Sequence, residues 1–324
     1  MDFEQNMVLQ VLENHNKNIH YESQLLQQDT VLNIPENSDL VLLNHSFGNN
    51  HTIQQYELLK QKVGNKDFVL LTSNYYYWKN KHPNIIYFPY YYFYFLSLPN
   101  IEYDIQKNRP NSIICFNLSP WYHRTVNFIE MSKRSWFKKC KTSFHWVYVY
   151  ENYDTTNIGI DTLSRLNQEQ KSILTNFKFP ILAEDDAWQL FGRYYVSNHS
   201  KLYENTYVNY VTENSVQQEF ITEKIWKPIF CGQLFYVLGS KNYIQHLRDI
   251  GIDVFDDYIN HSYDSENNLD KKINLILKDL DRLMQMDLDT VWQDTYTRRL
   301  KNFDLVRNQD FKNLLANDLI KRVS

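Results

Sequence analysis

The sequence is poor in cysteine: its 324 residues include only Cys115, Cys140 and Cys231. Their spacing matches no metal-binding motif, and an odd number cannot pair completely within one chain. We therefore interpret them as reduced and mostly buried thiols, which predicts a cytoplasmic protein.

The sequence also lacks a long apolar run and an N-terminal leader. Residues 1–20 are polar and interrupted by Asn and His, so no signal peptide is evident. The apolar run at 85–98 is too short and too rich in Tyr to cross a bilayer. We expect no membrane span.

No strong excess of either charge is present, since 34 Lys and Arg against 38 Asp and Glu give a formal net charge of −4. This balance provides no broad basic surface for a polyanion and disfavours a nucleic-acid partner. A local basic groove can coexist with an acidic total, so nucleic acid stays open as an acceptor. Hydrophobic residues make up 43% of the chain, enough for a folded core in one large domain or two ordinary ones.

What the sequence does contain is an alternation of strand and helix patterns. In the first part, strands are predicted at 39–45, 67–72 and 85–88, with an amphipathic helix at 53–63. In the second part, strands are predicted at 112–117, 144–150, 207–211 and 234–238. Helices are predicted at 126–137, 222–231 and 243–250 and again from 268 onward, and residues 161–176 are predicted to form helix and loop. Strands that alternate with helices predict parallel sheets covered by helices.

A polar segment with a proline, residues 107–111, separates two apolar strands and is predicted to be the domain linker. The predicted domains are residues 1–108, an N-terminal α/β domain, and residues 109–324, a C-terminal α/β domain with C-terminal helices.

The most informative motif begins at Glu213-Asn214 and ends with residues 220–226, in which Thr222, Glu223 and Lys224 are consecutive. The two glutamates are ten positions apart, after a predicted strand. Thr222 is a good N-cap residue, so Glu223 and Lys224 fall in the first turn of a helix. The unpaired N–H groups there suit a diphosphate, the carboxylate can accept ribose hydroxyls, and the Lys can face phosphate oxygens. A first turn whose acidic residue only stabilises the helix is the alternative interpretation.

The string closely resembles the donor-binding signature of α-1,3-fucosyltransferases, and the likeness continues through residues 236–240 and 242–243. The close part of this resemblance covers about a fifth of the chain. The resemblance implies a GT-B-like fold, with two Rossmann-like α/β domains facing a central cleft and a helical C-terminal tail. It also implies that Glu223 binds the ribose of a GDP-sugar and that Lys224 binds its phosphates. Because eukaryotic members carry a membrane anchor, the absence of one points to a bacterial or viral type of enzyme, or to a trimmed chain.

Arg124 follows the first strand of the second half, where the family has an Arg that pairs with the diphosphate. The resemblance implies that role here, and an Arg in the loop before a helix is independently well placed for bidentate phosphate contact. An Arg that caps a neighbouring loop is an equally weighted alternative. His123 is interpreted as structural.

The family's acceptor-side Glu has no equivalent, because residues 70–74 contain no carboxylate. Hydroxyl and amide groups cannot serve as a base at neutral pH. The candidate catalytic base is His45, which directly follows a predicted strand, with Glu102 and Asp104 as weaker candidates.

No metal and no cofactor are predicted. The acidic groups 184–186 and 256–257 lack a full Asp-x-Asp pattern, and GT-B enzymes generally stabilise the leaving diphosphate with Arg, Lys and a helix N-terminus.

The sequence therefore predicts a metal-independent glycosyltransferase that moves a sugar, with fucose one candidate, from a nucleoside-diphosphate sugar to a glycan hydroxyl. Two alternatives stay open. The first is a phage-type DNA glycosyltransferase acting on modified bases, since residues 220–226 also faintly resemble that class. The second is a non-catalytic protein with a transferase-like fold.

Overall fold

The computed structural model describes residues 8, 12, 19–22, 34, 36–45, 52–97, 108–117, 119–144, 149–150, 153–154, 156–179, 181 and 200–323. The chain forms two compact units. The first comprises Met1–Leu98, Gln217–Glu223 and Val306–Ser324, and the second comprises Pro99–Val216 and Lys224–Leu305. The sequence-based assignment took each domain as one continuous segment, whereas both units of the structure are discontinuous.

The strands are short and mostly parallel. They are β1 Ile19–Glu22, β2 Leu40–His45, β3 Phe68–Thr72, β4 Ile85–Tyr87, β5 Asn111–Asn117, β6 Cys140–Phe144, β7 Val149–Tyr150, β8 Tyr153–Asp154, β9 Thr206–Thr212 and β10 Leu234–Leu238.

The α-helices are numbered in chain order. They are α1 Thr52–Val63, α2 Tyr76–Lys79, α3 Tyr90–Ser97, α4 Tyr122–Ser132, α5 Thr156–Arg165, α6 Gln168–Leu174, α7 Ser200–Glu204, α8 Glu223–Phe230, α9 Tyr243–Asp249, α10 Leu269–Leu283, α11 Leu288–Asp294, α12 Tyr296–Leu305 and α13 Gln309–Val323.

The first unit contains a parallel sheet in the order β1-β2-β3-β4. Every residue of β3 and of β4 is buried. Strands buried on both faces are expected when helices cover a parallel sheet.

The second unit contains a parallel sheet in the order β10-β9-β5-β6, in which every residue of β9 and of β10 is buried. From β5 the chain moves outward to β6, and it later returns to the other side of β5 to form β9. Such a reversal of direction is a topological switch point, where open α/β sheets bind ligands beyond the carboxyl ends of their strands. The site in this unit is therefore expected beyond the ends of β5 and β9.

The predicted α/β architecture is confirmed: each unit has a parallel, helix-connected sheet, and the chain is helical from α10 onward. The strands predicted at 39–45, 67–72, 85–88, 112–117, 207–211 and 234–238 match β2, β3, β4, β5, β9 and β10 within one residue at either end. Largely apolar runs identified most of these strands, because parallel strands are buried on both faces, and β9 was identified from its large and β-forming residues.

Two predictions around α4 and β6 are wrong in their bounds. The helix predicted at 126–137 is α4, which begins at Tyr122 and ends at Ser132. The strand predicted at 144–150 overlaps β6 at Phe144 and β7 at Val149–Tyr150, and residues 145–148 are outside the described residues. The rest of β6, which pairs with β5, was not predicted. Apolar runs could not show this strand, because its sequence Cys-Lys-Thr-Ser-Phe is largely polar.

The aromatic run after Pro89 forms α3, a helix that the sequence analysis missed. Tyr90 and Tyr92 are 2% and 0% exposed, and the rings of Phe88 and Phe93 stack at 4.8 Å between centroids. These residues are core, where large aromatic side chains bury much apolar surface.

The thiols have the environments expected of unpaired cysteines. All three are free, Cys115 and Cys231 are buried, and Cys140 is half-buried. Burial raises the pKa of the Cys115 thiol to about 12. As for membrane spans, no helix in the described part of the chain combines the length and apolar character needed to cross a bilayer.

Candidate functional site

Two chain segments meet beyond the carboxyl ends of β5 and β9. One runs from Asn117, the last residue of β5, to the start of α4 at Tyr122. The other starts at Glu213, directly after β9. This is the switch point of the second sheet. The second segment carries Glu213 and Asn214, and Arg124 lies in the first turn of α4, directly after the first segment.

Arg124 joins the two segments. It lies on α4 and is 4% exposed. Its Nη2 donates to the main-chain oxygen of Thr212 at 3.1 Å and to Oδ1 of Asn214 at 2.8 Å, and its Nε donates to the main-chain oxygen of Glu213 at 3.3 Å. A planar guanidinium with several fixed donors thus holds the start of the 213–214 loop. The structure brings Arg124, Glu213 and Asn214 together, with the guanidinium bonded to the loop as in the alternative interpretation of an Arg that caps a neighbouring loop. The binding of a diphosphate by Arg124 stays a prediction.

His123 supports the same loop. Its Nε2 lies 2.9 Å from the main-chain oxygen of Glu213, which can only accept, so this nitrogen carries the proton. Burial, and secondarily the charge of Arg124, lowers the pKa of His123 to about 3. The ring is therefore neutral at physiological pH and acts as a hydrogen-bond donor, which agrees with a structural role.

The carboxyl group of Glu213 is 1% exposed, and its Oε1 accepts a 2.5 Å hydrogen bond from the hydroxyl of Tyr243 on α9. The Tyr243 ring reaches this position by passing Gly239, which directly follows β10. A Cβ added at Gly239 would lie 2.8 Å from the Tyr243 ring. Glycine at this position therefore leaves the space that the ring needs.

The side chain of Lys272 on α10 holds the backbone at Gly239. It is 4% exposed, and its Nζ donates to the main-chain oxygen of Gly239 at 3.0 Å. Burial lowers the pKa of Lys272 to about 8. The nearby carboxylate of Asp264 accepts from the N–H groups of Ile244 and Gln245 in the first turn of α9. Together these contacts fix the start of the helix that carries Tyr243.

Sequence reasoning included Gly239 and Tyr243 only as extensions of the motif and did not identify Lys272 or Asp264. Lys272 lies on an amphipathic helix with several lysines, and such lysines are usually exposed to solvent. No local pattern therefore indicates that this one is buried. The glycine followed by an aromatic residue four positions later was the available signal.

Residues 222–224 lie at a helix start, as predicted. Thr222 is fully buried, α8 begins at Glu223, and Glu223 and Lys224 are half-buried. The helix continues through Pro228 to Phe230, and the N–H of Gln233 bonds to the main-chain oxygen of Pro228 at 2.9 Å. The first-turn position of Glu223 and Lys224 is confirmed, while their binding roles stay predictions.

His45 is the last residue of β2 and lies in register with Thr72 of β3. The side chain of His45 is outside the described part of the chain, so its role as a base stays a prediction. Glu102 and Asp104 are outside the described residues altogether.

Neither acidic group considered from the sequence forms a described metal site. Asp256 pairs with Arg248 at 2.5 Å, and Asp257 pairs with Arg298, so both carboxylates serve ion pairs. Residues 184–186 are outside the described residues. Within the part of the chain that the structure describes, no group of three or more His, Cys, Asp or Glu is arranged to hold a metal ion.

No protein-family model matches the sequence, and no curated protein sequence matches it significantly. Among solved structures, the chain is similar to a DNA-modifying β-glucosyltransferase studied in the presence and absence of its substrate uridine diphosphoglucose. The two share 9% sequence identity, the match covers 89% of this chain and 76% of the other, and the TM-score is 0.45. A likeness this distant carries no argument about donor or acceptor, and the comparisons give the fucosyltransferase resemblance no support.

Proposed function

We propose that this protein is a glycosyltransferase that binds a nucleoside-diphosphate sugar and transfers the sugar to an acceptor hydroxyl. The observation that carries the proposal is the assembly of Arg124, Glu213 and Asn214 at the switch point of the second sheet. A ligand site is expected there for any open parallel sheet. The residues that occupy it are those that the donor-binding signature singled out.

Glu223 and Lys224 supply the chemistry for the nucleotide. A first-turn carboxylate can accept hydrogen bonds from both ribose hydroxyls, and the adjacent ammonium can pair with the diphosphate. Both side chains are half-buried, so they are accessible to a ligand while being held by the helix. The N-terminal N–H groups of α8 add a partial positive charge.

Arg124 acts first as a brace for the 213–214 loop, because its Nε and Nη2 already bond to that loop. Its positive charge still contributes to the field at the carboxyl ends of β5 and β9. We propose that this charge, Lys224 and the start of α8 stabilise the leaving diphosphate without a metal ion.

A glycan hydroxyl is the proposed acceptor, and GDP-fucose is one candidate donor. The formal net charge of −4 favours a neutral acceptor over a duplex. Transfer to a hydroxymethylated duplex, with salt-dependent retention on it, would instead establish the DNA-modifying alternative.

The test is to titrate the protein with GDP, UDP and CMP and to measure which of them raises its melting temperature. Glu223→Ala should then lower affinity for the preferred nucleotide sugar by about 1.5–3 kcal/mol, the range for a hydrogen bond to a charged group. Glu57→Ala is the matched control, since Glu57 is an exposed carboxylate on α1.

Equal affinity of Glu223→Ala and wild type would refute the ribose assignment. Nucleotide binding without hydrolysis or transfer of any nucleotide sugar would establish the non-catalytic alternative.

A further inference from the structure

Beyond β3, the carboxyl edge of the first sheet is polar, and the described residues 73–74 provide no base there. Strands β2, β3 and β4 are parallel and therefore end at the same edge. Beyond β3, Ser73 and Asn74 are 0% and 6% exposed. Ser73 Oγ donates to the main-chain oxygen of Phe88 at 3.3 Å, and Asn74 Oδ1 accepts from the N–H of Tyr76 at 3.0 Å. A hydroxyl and an amide cannot accept a proton from an acceptor at neutral pH.

A distant part of the chain brings a carboxylate to this edge. Gln217–Glu223 is part of the first unit, and Phe220 forms an antiparallel bridge with Asn74. The N–H of Tyr75 donates to the main-chain oxygen of Glu219 at 2.9 Å. Two neighbouring backbone contacts thus place Glu219 beside Tyr75, which lies three residues past the end of β3 and directly after residues 70–74, the stretch without a carboxylate.

The side chain of Glu219 is half-buried, and within the described residues no hydrogen bond or ion pair involves its carboxylate. Burial raises its pKa above the ordinary value for glutamate. The titratable group that faces the Glu219 carboxylate is Tyr77 on α2. The pKa of Tyr77 is raised first by its own burial, then by Tyr76 and by the charge of Glu219. A carboxylate without a cationic partner keeps its lone pairs for a substrate proton, and a raised pKa makes it a stronger base.

Most other described acidic side chains of the first unit are placed elsewhere. Asp39 and Asp67 directly precede β2 and β3, so they lie at the opposite edge of the sheet, and Asp67 pairs with Arg322. Asp318 pairs with Lys81, and Glu57 is exposed on α1. Glu22, the last residue of β1, also lies at this edge, but its side chain is outside the described part of the chain. Among the described acidic side chains of the first unit, Glu219 is the one that backbone contacts place beside the end of β3.

We propose that Glu219 is the general base that accepts the proton of the acceptor hydroxyl, an inference that rests on the proposed glycosyl transfer. In this step the acceptor oxygen forms a bond to the anomeric carbon, and the bond from that carbon to the diphosphate oxygen breaks. The electron pair of the broken bond leaves with the nucleoside diphosphate, and the proton passes to Glu219.

The experiment measures hydrolysis of the preferred nucleotide sugar and transfer to an acceptor for wild type, Glu219→Gln and Glu219→Asp. Glu219→Gln keeps the main-chain bond to Tyr75 and removes only the basic oxygen. It should lower kcat by roughly 10²–10⁴-fold, the usual contribution of a general base, with donor affinity and melting temperature unchanged. Glu219→Asp should retain part of the activity, and Glu57→Gln, the matched exposed control, should retain all of it.

The pH profile separates a catalytic role from a structural one. Wild-type kcat/KM should rise with pH as Glu219 ionises, with an apparent pKa above that of ordinary glutamate, and this acid limb should disappear in Glu219→Gln. Full activity in Glu219→Gln overturns the proposal. So does an acid limb that persists in Glu219→Gln and disappears in His45→Asn. Both results leave the glycosyltransferase function intact. A wild-type protein that turns over no nucleotide sugar refutes the proposed function itself, and the role of Glu219 with it.

Discussion

At the scale of single residues, the main feature is the number of contacts that fix Glu213. Its main-chain oxygen accepts from His123 and Arg124, and its carboxyl group accepts from Tyr243. A buried carboxyl group is costly unless such bonds compensate for its lost hydration. Its position beside β5 and β9 is therefore set by side chains from α4 and α9, not by the loop alone.

Replacement of Tyr243 by Phe tests this arrangement. The variant removes the donor and leaves the buried carboxyl group of Glu213 without that bond, so we expect the free energy of unfolding to fall by about 1.5–3 kcal/mol. Urea denaturation measures the change. Affinity for a nucleotide sugar should also fall, because the 213–214 loop loses a support.

Tyr258→Phe provides the matched control. The Tyr258 hydroxyl donates to Asp294 at 2.7 Å in an exposed position, where water can replace the bond, so its loss should cost less than about 1 kcal/mol. An equal loss of unfolding free energy in the two variants would show that the buried bond to Glu213 stabilises the fold no more than the exposed bond to Asp294.

At the scale of elements, helix α13 belongs to the first unit although it ends the chain. The Tyr92 hydroxyl on α3 donates to the main-chain oxygen of Val306 at 2.9 Å, and the rings of Tyr92 and Phe311 meet edge to face at 5.3 Å. Arg322 pairs with Asp67, which directly precedes β3. The helix thus covers part of a sheet built from the first hundred residues.

Two leucines of α13 provide a direct test. Leu319 is 0% exposed and Leu314 is 43% exposed. Leu319→Ala should lower the free energy of unfolding by about 2–5 kcal/mol because it leaves a cavity in the core. Leu314→Ala, the matched control on the same helix, should change it by less than about 0.5 kcal/mol.

Hydrogen exchange locates the effect within the molecule. Faster exchange of β3 and β4 amides in Leu319→Ala would be the expected result, since α13 packs on β4. Faster exchange confined to the second unit would contradict the assignment of α13 to the first.

The elements also show how far local sequence patterns can be followed. β10 was predicted to the residue because all its side chains are buried, which produces a contiguous apolar run. β9 was predicted almost to the residue because it is rich in Tyr and Val, which favour strands. β6 was missed since its residues are largely polar, and it is a strand because it pairs with β5. The start of α8 was predictable from Thr222, Glu223 and Lys224, as helix starts follow local chemistry.

At the scale of the whole molecule, buried neutral histidines should make stability depend on pH. The pKa of His123 is about 3 in the folded protein, against about 6.5 for an ordinary histidine. Between these values the unfolded chain binds a proton that the folded chain does not. The free energy of unfolding therefore falls as pH falls through this window, by about 1.4 kcal/mol per pH unit for one group.

His123→Gln should flatten this dependence, because the Gln side chain does not titrate and can still direct an N–H toward the main-chain oxygen of Glu213. Urea denaturation at several pH values between about 6.5 and 3 measures the slope. His82→Gln is the control and should change the slope less, since burial lowers the pKa of the half-buried His82 to a smaller extent. Parallel curves for wild type and His123→Gln would refute the role of His123.

The sequence by itself determined the α/β class, most strands and the helix start at Glu223 and Lys224. Each of these follows from the burial or the chemistry of neighbouring residues, which a local pattern records. Only the tertiary structure decided that α13 joins the first unit, that Tyr243 supports Glu213, and that Glu219 lies beside the end of β3. These contacts join residues about 30 to more than 200 positions apart. The free energy that fixes them comes from packing and hydrogen bonds between distant segments, and no local pattern encodes it.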